Sequence, residues 1–319
     1  MNDFTICIVG TGAVGTSIGL ALKQIENPPY LIAHDKDLQT AKAAVKMGAF
    51  DKAEWNLINA CEKASLIVLA TPLSGIEPTL EAIAPYLRQD AVVTDVCRSK
   101  GPVLAAAARH LPAHVHFVGG DPIVYPAGLG HENGQATLFK DRVYCLTPAA
   151  TTHEEAVQLV VNFIHLLGGQ PFFLDPEEHD GLITATELLP AVLSAALLNT
   201  LSQQTSWRES RKLAGRLFEQ VSTGAEGDPD SLKAAFLSNQ TTLLSWLDQY
   251  LVELGQLRQL IATGEDDKGE ALAQRLDQAA VERSNWLLDY QKNRFVDPEL
   301  QSAQMESPGL MRRLIGFGG

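Results

Sequence analysis

Short apolar runs alternate with amphipathic stretches through the first half of the chain. The runs are FTICIVG, YLIAHD, SLIVLATP, AVVTDVC, HVHFVGG, RVYCLTP and QPFFLD. Buried strands that alternate with helices are typical of a doubly wound sheet with helices on both faces. The pattern therefore predicts an α/β domain of the Rossmann type, with a doubly wound parallel sheet, over residues 1–175.

The pattern changes after Asp175, where the strand-like runs stop and apolar residues recur with a helical period. Segments such as LKAAFLSNQTTLLSWLDQYLVELGQLRQLI and ALAQRLDQAAVERSNWLLDY carry this period, and breaks rich in Gly and Asp separate them. We predict a separate all-α domain over residues 176–294, followed by a C-terminal tail over residues 295–319.

The segment from Leu188 to Leu201 is apolar on more than one helical face. A helix of this kind must be buried inside its domain or against a second subunit. The longer uncharged run to Ser206 contains Pro190 and Asn199, which favours a buried helix over a membrane span. We therefore expect a homodimer held together by the helical domain, and no membrane partner.

Composition narrows the class of partner. The chain has 319 residues, of which 45% are hydrophobic and 20% charged, and its formal net charge is −13. A charge of this sign disfavours nucleic-acid binding and polybasic membrane contact, which leaves a small molecule as the expected partner. The four cysteines have no metal-type spacing and no signal-peptide pattern precedes them, so we expect a cytoplasmic protein without a metal site.

A glycine-rich turn follows the first predicted strand and opens a helical stretch. It has the sequence G-T-G-A-V-G over residues 10–15. In this setting the backbone N–H groups of the turn can bind a pyrophosphate at the positive end of the helix. The predicted cofactor contacts in this turn are Gly10, Gly12, Ala13, Val14 and Gly15.

Asp35 ends the second predicted strand, twenty residues beyond Gly15. A carboxylate there accepts hydrogen bonds from ribose hydroxyls and repels a 2′-phosphate, which predicts NAD in preference to NADP. The neighbouring Lys36 is a further cofactor candidate, and its charge keeps NADP open as the alternative. The ends of later strands border the nicotinamide in such folds, and they supply the remaining candidates, Thr71, Pro72, Asp95 and Cys97.

Longer motifs resemble the prephenate and arogenate dehydrogenase family. They include GTGAVGTSIGLALK, SLIVLATPLSGIEPTLEAIAPYL, VTDVCRSK, FVGGDP, LFKDRVYCLTP and PEEHDGLITATELLPAVLSAAL, and the similarity extends to about Trp286. The resemblance implies a Rossmann-type domain followed by an all-α dimerisation domain. It also implies an NAD(P)-dependent oxidoreductase of tyrosine biosynthesis, which oxidises a hydroxyl-bearing ring carbon while the ring carboxylate leaves as carbon dioxide.

The sequence departs from the family at the motifs that carry catalysis. Asp121 stands at the catalytic histidine of G-H-P-M-A-G, and Arg98 stands at the active-site serine of D-V-G-S-V-K. Glu187 replaces the serine of S-H-L-P-H, whose two histidines are also absent. In F-R-D-x-T-R, Glu219 stands at the first arginine and Thr223 at the substrate-binding arginine. The resemblance therefore gives catalytic positions to Asp121 and Arg98, and substrate positions to the other three.

His179 is retained from the family, at the start of the first helix of the second predicted domain. We place it among the substrate-domain candidates and interpret it as a hydrogen-bonding residue at the domain junction. Asp121 can accept a proton as a general base. Together with Glu187 and Glu219 it would also make the pocket negative and repel a dicarboxylate, with Arg98 as a compensating cation.

Three hypotheses for function stay open at this point. The first is a divergent prephenate or arogenate dehydrogenase, in which Asp121 and Arg98 take over from the family's residues. The second is an NAD-dependent dehydrogenase that acts on a different small substrate, neutral or cationic. The third is a catalytically silent NAD-binding dimer.

Overall fold

The computed structural model describes residues 4–149, 151–264 and 269–291. These residues form two compact units. The first unit contains the described residues up to Ile183 together with Glu226–Ser238. The second unit contains Thr184–Ala225 and the described residues from Asn239 onwards.

An eight-stranded sheet forms the centre of the first unit. Its strands are β1 (Thr5–Val9), β2 (Tyr30–His34), β3 (Lys52–Ala53), β4 (Leu66–Leu69), β5 (Val92–Asp95), β6 (His116–Pro122), β7 (Val143–Pro148) and β8 (Gln170–Phe173). Their order across the sheet is β3-β2-β1-β4-β5-β6-β7-β8. The strand order reverses at β1, whose parallel neighbours are β2 and β4. Open α/β sheets bind ligands at such a reversal, beside the carboxyl ends of the strands.

Helices follow most strands of the sheet and form the second unit. In chain order they are α1 (Ala13–Leu22), α2 (Leu38–Lys46), α3 (Leu57–Cys61), α4 (Leu73–Ile83), α5 (Lys100–His110), α6 (Glu154–Leu166), α7 (Pro176–Ile183), α8 (Leu189–Ser202), α9 (Trp207–Ser210), α10 (Arg216–Ser222), α11 (Pro229–Ser238), α12 (Gln240–Ala262) and α13 (Glu270–Gln291). A π-helical segment, Thr184–Leu188, joins α7 to α8. The predicted order of an α/β domain and then a helical domain is confirmed.

Alternation along β1 shows why both faces of the sheet are covered. Ile6 and Ile8 belong to one buried apolar cluster, whereas Cys7 and Val9 belong to another. Successive side chains of a strand point to opposite faces, so the two clusters lie on opposite sides of β1. A strand with apolar residues on both faces is expected in a doubly wound sheet, and this fold class is confirmed.

The structure adds two strand features that the sequence pattern did not predict. The short strand β3 contains only two residues, which is too few for a recognisable apolar run. Strand β7 runs antiparallel to β6, with Gly120 opposite Leu146. Within residues 123–142 the structure has only a 3-10 turn, His131–Asn133. A parallel return needs a crossover connection, usually helical, so the chain comes back antiparallel here.

The second unit consists of helices and short turns among its described residues. Many of its large apolar side chains are exposed, including Leu213 at 88%, Leu217 at 77% and Ile261 at 67%. Of the described residues, the segment Pro176–Ser202 is long and apolar enough to cross a membrane, a test that core helices of water-soluble proteins also meet. The predicted tail over residues 295–319 lies outside the described residues.

A pair of glycine substitutions tests how tightly the first turn packs against β4. Both Gly10 and Gly48 have positive φ, but a Cβ on Gly10 would lie 2.4 Å from the Ala70 carbonyl oxygen, whereas a Cβ on Gly48 would meet nothing within 4 Å. We expect Gly48→Ala to lower the free energy of unfolding by about 1–2 kcal/mol, the cost of the left-handed backbone alone. Gly10→Ala adds a steric clash worth about 1–3 kcal/mol more. Urea unfolding measures both, and equal losses would contradict a rigid contact with Ala70.

Candidate active site

The glycine-rich turn lies at the reversal of strand order, between the ends of β1 and β4. A Cβ on Gly15 would lie 2.0 Å from the Gly10 carbonyl oxygen, so α1 can start this close to the sheet only with glycine there. Helix α1 begins at Ala13 after Gly12, which provides no side-chain cap. The positive end of the helix dipole therefore lies beside the crevice, and this arrangement fits a bound phosphate.

Asp35 is fixed beside this turn by hydrogen bonds. Its Oδ2 accepts from the Thr11 amide at 2.8 Å and from the Thr11 hydroxyl at 3.0 Å, and its Oδ1 accepts from the Asp37 amide at 3.0 Å. The carboxylate thus lies beside the turn that begins α1. This position suits ribose recognition, and the neighbouring Lys36 is exposed.

The end of β4 supplies a second polar group to the same crevice. Thr71 and Pro72 follow β4 directly, and β4 pairs with β1. The hydroxyl oxygen of Thr71 is buried and has no hydrogen-bond partner in the ranges that the structure describes. A buried polar atom of this kind calls for a partner such as water or a ligand. The residues predicted to hold a dinucleotide therefore fit one.

The loop after β6 crosses the start of α1. The Ala13 amide donates to the Leu129 carbonyl at 2.9 Å. The Gln135 amide donates to the Ser17 hydroxyl at 2.8 Å. The first amide of α1 is therefore capped by the chain's own carbonyl, and a phosphate that binds this amide must displace Leu129.

A fully buried ion pair holds together the ends of β5 and β6. Lys100 Nζ lies 2.5 Å from Asp95 Oδ2 and donates to the Gly120 carbonyl at 2.6 Å. Asp95 also accepts from the amides of Cys97 and Gly120. These donors bind both carboxylate oxygens of Asp95 and fix the ends of β5 and β6 side by side. Cys97 Sγ lies 3.6 Å from the Thr71 carbonyl oxygen, toward the cofactor crevice. Cofactor contacts from Asp95 and Cys97 remain predictions.

Asp121, at the end of β6, is held by His179 on α7. His179 Nε2 lies 3.2 Å from Asp121 Oδ2, and His179 Nδ1 lies 3.2 Å from Asp180 Oδ1. Asp180 in turn accepts from the amides of Lys100 and Gly101, the first two residues of α5. His179 thus makes the expected bond to the first predicted domain, and α7 belongs to the same unit as the sheet.

The two carboxylates determine the protonation of His179. Burial alone would lower the pKa of His179, but its hydrogen bonds with Asp121 and Asp180 outweigh burial and raise it to about 10. Burial tends to raise the pKa of Asp180, and the bond from His179 together with the α5 amides reverses this and lowers it. The imidazole is therefore a cation at neutral pH.

Arg98 approaches Asp121 from another direction. Its Nη1 lies 3.7 Å from Asp121 Oδ1, and its Nη2 donates to the Val124 carbonyl at 3.0 Å. The guanidinium carbon lies 5.1 Å from the centre of the Tyr125 ring, within cation–π range. The guanidinium is thus oriented by three groups at the carboxyl end of β6.

The charges around Asp121 are balanced. Three acidic side chains alternate with three basic ones in this network, namely Asp95, Asp121 and Asp180 with Lys100, His179 and Arg98. The negative charge of Asp121 is therefore compensated, because His179 and Arg98 both face it. A negative pocket formed together with Glu187 and Glu219 stays a prediction. Compensation by His179 was not predictable from the sequence, because its ionisation depends on partners that are distant in the chain.

The other predicted substrate residues belong to the second unit. Thr223 donates its hydroxyl to the Glu219 carbonyl at 2.8 Å, so these two residues are neighbours at the end of α10. Glu219 is exposed, and Glu187 is half-buried in the π-helical segment. Their contact with a substrate remains a prediction. Within the described residues, no group of three or more His, Cys, Asp or Glu side chains is arranged to hold a metal ion.

Sequence reasoning missed the positioning role of Lys100 and Asp180. Both lie in motifs shared with the family, in VTDVCRSK and PEEHDG, but each could equally have been a surface charge. Tyr125 was missed as well, since the chain departs from the family motif at this position. The signal for Lys100 was its place within a strand-to-helix turn, where a buried lysine must meet a carboxylate.

Two protein-family models match the chain. The nucleotide-binding domain of prephenate dehydrogenase matches residues 18–172, and the dimerization domain of prephenate dehydrogenase matches residues 175–278. Together they cover well over half of the chain. The first match begins after the glycine-rich turn, which is therefore identified by its own sequence and geometry.

Individual relatives agree with these models. Prephenate dehydrogenase of Bacillus subtilis is 28% identical over 260 residues, which cover 81% of this chain and 70% of the relative. The crystal structure of Synechocystis arogenate dehydrogenase is 28% identical with a TM-score of 0.70, covering 89% of this chain and 100% of the other. Prephenate dehydrogenase from Aquifex aeolicus, solved with hydroxyphenyl propionate and NAD+, has a TM-score of 0.79 at 24% identity, covering 88% of this chain and 98% of the other.

Removal of Lys100 tests whether the buried ion pair supports the first unit. Lys100→Met leaves Asp95 buried without its cation, and we expect the free energy of unfolding to fall by about 3–5 kcal/mol. Lys23→Met is the matched control, because the Lys23–Asp51 pair is equally close, at 2.6 Å, but lies near the surface. The control should cost at most about 1 kcal/mol. If the two variants lost similar amounts of free energy of unfolding in urea, the Lys100–Asp95 pair would not be desolvated as proposed.

Proposed function

The chain belongs to the prephenate dehydrogenase family, and from this membership we propose that it oxidises prephenate or arogenate with NAD as the acceptor. NAD held by the glycine-rich turn at residues 10–15 would supply the acceptor for a hydride from the hydroxyl-bearing ring carbon. The ring carboxylate leaves as carbon dioxide, and aromatisation of the ring drives the reaction. The chain's own residues must bind the substrate's carboxylates, hold its hydroxyl and accept the hydroxyl proton.

One observation carries the proposal. Asp121 Oδ1 is buried and has no hydrogen-bond donor among the described residues, whereas Oδ2 is bonded to His179. Leaving a buried acceptor without a donor is costly, and a substrate hydroxyl is a donor that would satisfy it. Because Asp121 stands where the family places its catalytic histidine, we assign it the role of general base.

Arg98 is the proposed anchor for a substrate carboxylate. It keeps 29% of its side chain exposed while its ion pair with Asp121 and its bond to Val124 orient the guanidinium. A guanidinium can bind a carboxylate through two parallel hydrogen bonds. In this role Arg98 takes over from the family arginine whose position is occupied by Thr223.

The acidic replacements favour arogenate over prephenate. Glu187 and Glu219 are carboxylates where the family has serine and arginine. Arogenate carries an ammonium group where prephenate has a ketone, and a carboxylate attracts only the ammonium. The same replacements support the second hypothesis, an NAD-dependent dehydrogenase for another small neutral or cationic substrate.

The proposed cofactor is NAD, held by the glycine-rich turn at residues 10–15, by Thr71 and Pro72, and by Asp35. The fixed carboxylate of Asp35 supports NAD over NADP, because it can accept from ribose hydroxyls and would repel a 2′-phosphate. The Aquifex aeolicus relative was solved with NAD+. Lys36 lies next to Asp35, and its positive charge could bind the 2′-phosphate if NADP were used instead.

We also propose a cytoplasmic homodimer with its cofactor domain over residues 1–175 and its dimerisation domain over residues 176–294. The second family model is a dimerization domain. The exposed apolar side chains of the second unit supply a surface that a second subunit would cover. All four cysteines are free and buried, which suits a reducing compartment.

Asp121→Asn tests the proposed base. The amide keeps the size of the side chain but does not accept a proton, so we expect kcat/KM for NAD+ reduction to fall by about 10²–10⁴-fold with arogenate. Binding of NAD+ should stay unchanged in calorimetry. Asp230→Asn is the control, because Asp230 is an exposed aspartate on α11.

Three results would contradict the proposed base or the proposed reaction. Full activity of Asp121→Asn would remove Asp121 from catalysis. If the wild-type protein binds NAD+ but forms no NADH from arogenate or prephenate at high protein concentration, the catalytically silent dimer becomes the better account. Turnover of a different substrate only would favour the second hypothesis.

Asp35→Ser tests the choice of cofactor. Loss of a charged acceptor for ribose hydroxyls should raise the Kd for NAD+ at least ~10-fold, since such hydrogen bonds contribute roughly 1.5–3 kcal/mol each. The Kd for NADP+ should fall, because the repelling charge is gone. Asp37→Ser removes the same charge two residues away, where serine can still cap α2. If calorimetry shows the same preference for NAD+ over NADP+ in Asp35→Ser as in the wild type, the assignment of Asp35 as the residue that selects NAD is contradicted.

A further inference from the structure

We infer that His179 is a positioning residue that stays a cation and keeps Asp121 ready to accept a proton. The inference rests on the proposed function in one respect, that Asp121 is the base. In this arrangement the aspartate meets the substrate and the histidine lies behind it. The two residues therefore form an Asp–His pair in which the aspartate contacts the substrate and the histidine only supports the aspartate.

The geometry favours a charged ring. Both nitrogens of His179 face a carboxylate oxygen at 3.2 Å, Asp121 on one side and Asp180 on the other. When both carboxylates are ionised they can only accept, so both ring nitrogens donate, and only the imidazolium does so. The side chain of His179 is fully buried, which excludes water as a substitute partner at either nitrogen.

The orientation of the ring is fixed from the side opposite Asp121. Asp180 Oδ1 accepts from the Lys100 amide at 2.7 Å, and Asp180 Oδ2 accepts from the Gly101 amide at 2.8 Å. These amides begin α5, so the carboxylate also lies at the positive end of that helix. Asp180 therefore cannot follow a rotating imidazole, and His179 Nε2 is aimed at Asp121.

A buried base needs a stable countercharge. Only 1% of the Asp121 side chain is exposed, and ionising a carboxylate so far from water is costly without an adjacent cation. Arg98 supplies one cation but is partly exposed and lies farther away, at 3.7 Å. A substrate carboxylate that binds Arg98 would weaken its hold on Asp121. His179 has no contact with solvent and keeps its charge when the substrate arrives.

The other ionisable groups near the pair leave this assignment intact. Those that face His179 or Asp121 are Asp180 on α7, Cys145 on β7, Arg98 after β5, and, in the same network, Lys100, Asp95, Cys97 and Tyr144. Burial raises the pKa of the Cys97 thiol and of the Tyr144 phenol well above their usual range, so both stay neutral. The remaining charges alternate in sign, and Lys100 is engaged by Asp95.

The sign of the pH dependence follows from the pKa of His179. Its value of about 10 in the folded protein lies above the ordinary 6.5. The stability that His179 contributes is therefore fully present below about pH 6.5 and is lost as the pH rises through 10. Across neutral pH the charge on His179 stays constant.

Nuclear magnetic resonance of histidine-labelled full-length protein tests the charge without any activity. We expect the imidazole of His179 to stay protonated from pH 6 to pH 9 in the wild type. In Asp121→Asn its titration midpoint should fall by at least one pH unit. A wild-type midpoint between pH 6 and 7 would overturn the inference.

Kinetics then test the positioning role. His179→Gln keeps a hydrogen-bond donor but has no charge, and we expect the acid limb of the kcat/KM profile to move up by at least one pH unit. His110→Gln is the matched control, since His110 also lies 3.1 Å from a carboxylate, that of Glu77, but near the surface. Its profile should coincide with that of the wild type. An equal loss at every pH in His179→Gln would show a purely structural role and contradict the inference.

The outcomes separate this inference from the proposed function. If Asp121→Asn is fully active, the base assignment fails, while the resonance experiment still decides whether His179 is a cation. If Asp121→Asn is inactive and His179→Gln keeps the wild-type pH profile, the base stands and the role of His179 is refuted. If His179→Gln does not fold, the resonance comparison between wild type and Asp121→Asn carries the test.

Discussion

Buried carboxylates must meet cations or N–H donors, and this constraint organises the carboxyl edge of the sheet. Asp95, Asp121 and Asp180 are all held this way, by Lys100, by His179 with Arg98, and by the first amides of α5 together with His179. The partners come from two segments, residues 98–101 and His179, while the carboxylates lie on β5, β6 and α7, so satisfying the charges also joins β5, β6, α5 and α7. The electrostatic requirement therefore fixes the tertiary arrangement at this edge.

Asp180 links these buried charges to the position of the proposed base, Asp121. Its bonds to the first amides of α5 hold the middle of α7, and its neighbour in the chain is His179. One residue of displacement in α7 turns a side chain by about 100° around the helix axis. The bonds from Asp180 to the first amides of α5 thus also determine that His179 faces Asp121. A contact that stabilises the fold therefore positions the residue beside the proposed base.

The parts of the fold that sequence could predict are local. The strands of the first unit, the glycine-rich turn and Asp35 follow from runs of a few residues, and Asp35 is tied to Thr11 only 24 residues away. The antiparallel direction of β7 was missed although its signal is also local, because residues 123–142 carry no helical pattern and a parallel return needs a crossover connection, usually a helix. Lys100 and Asp180 meet across 80 residues, and His179 is charged only because distant carboxylates face it. Such pairings leave no periodic trace in the chain.

The two replaced residues at the catalytic positions are best understood as one coupled change. An aspartate in place of the family's histidine brings a negative charge, and an arginine in place of its serine brings a positive one, 3.7 Å apart. Stability alone would explain this ion pair, but it would not explain why Asp121 Oδ1, the oxygen that faces Arg98, receives no hydrogen bond from the described residues. A site shaped only by stability would satisfy that atom, because unsatisfied buried polar groups are costly. An acceptor that lies beside the Arg98 cation but receives no hydrogen bond is what the proposed binding of a substrate hydroxyl needs.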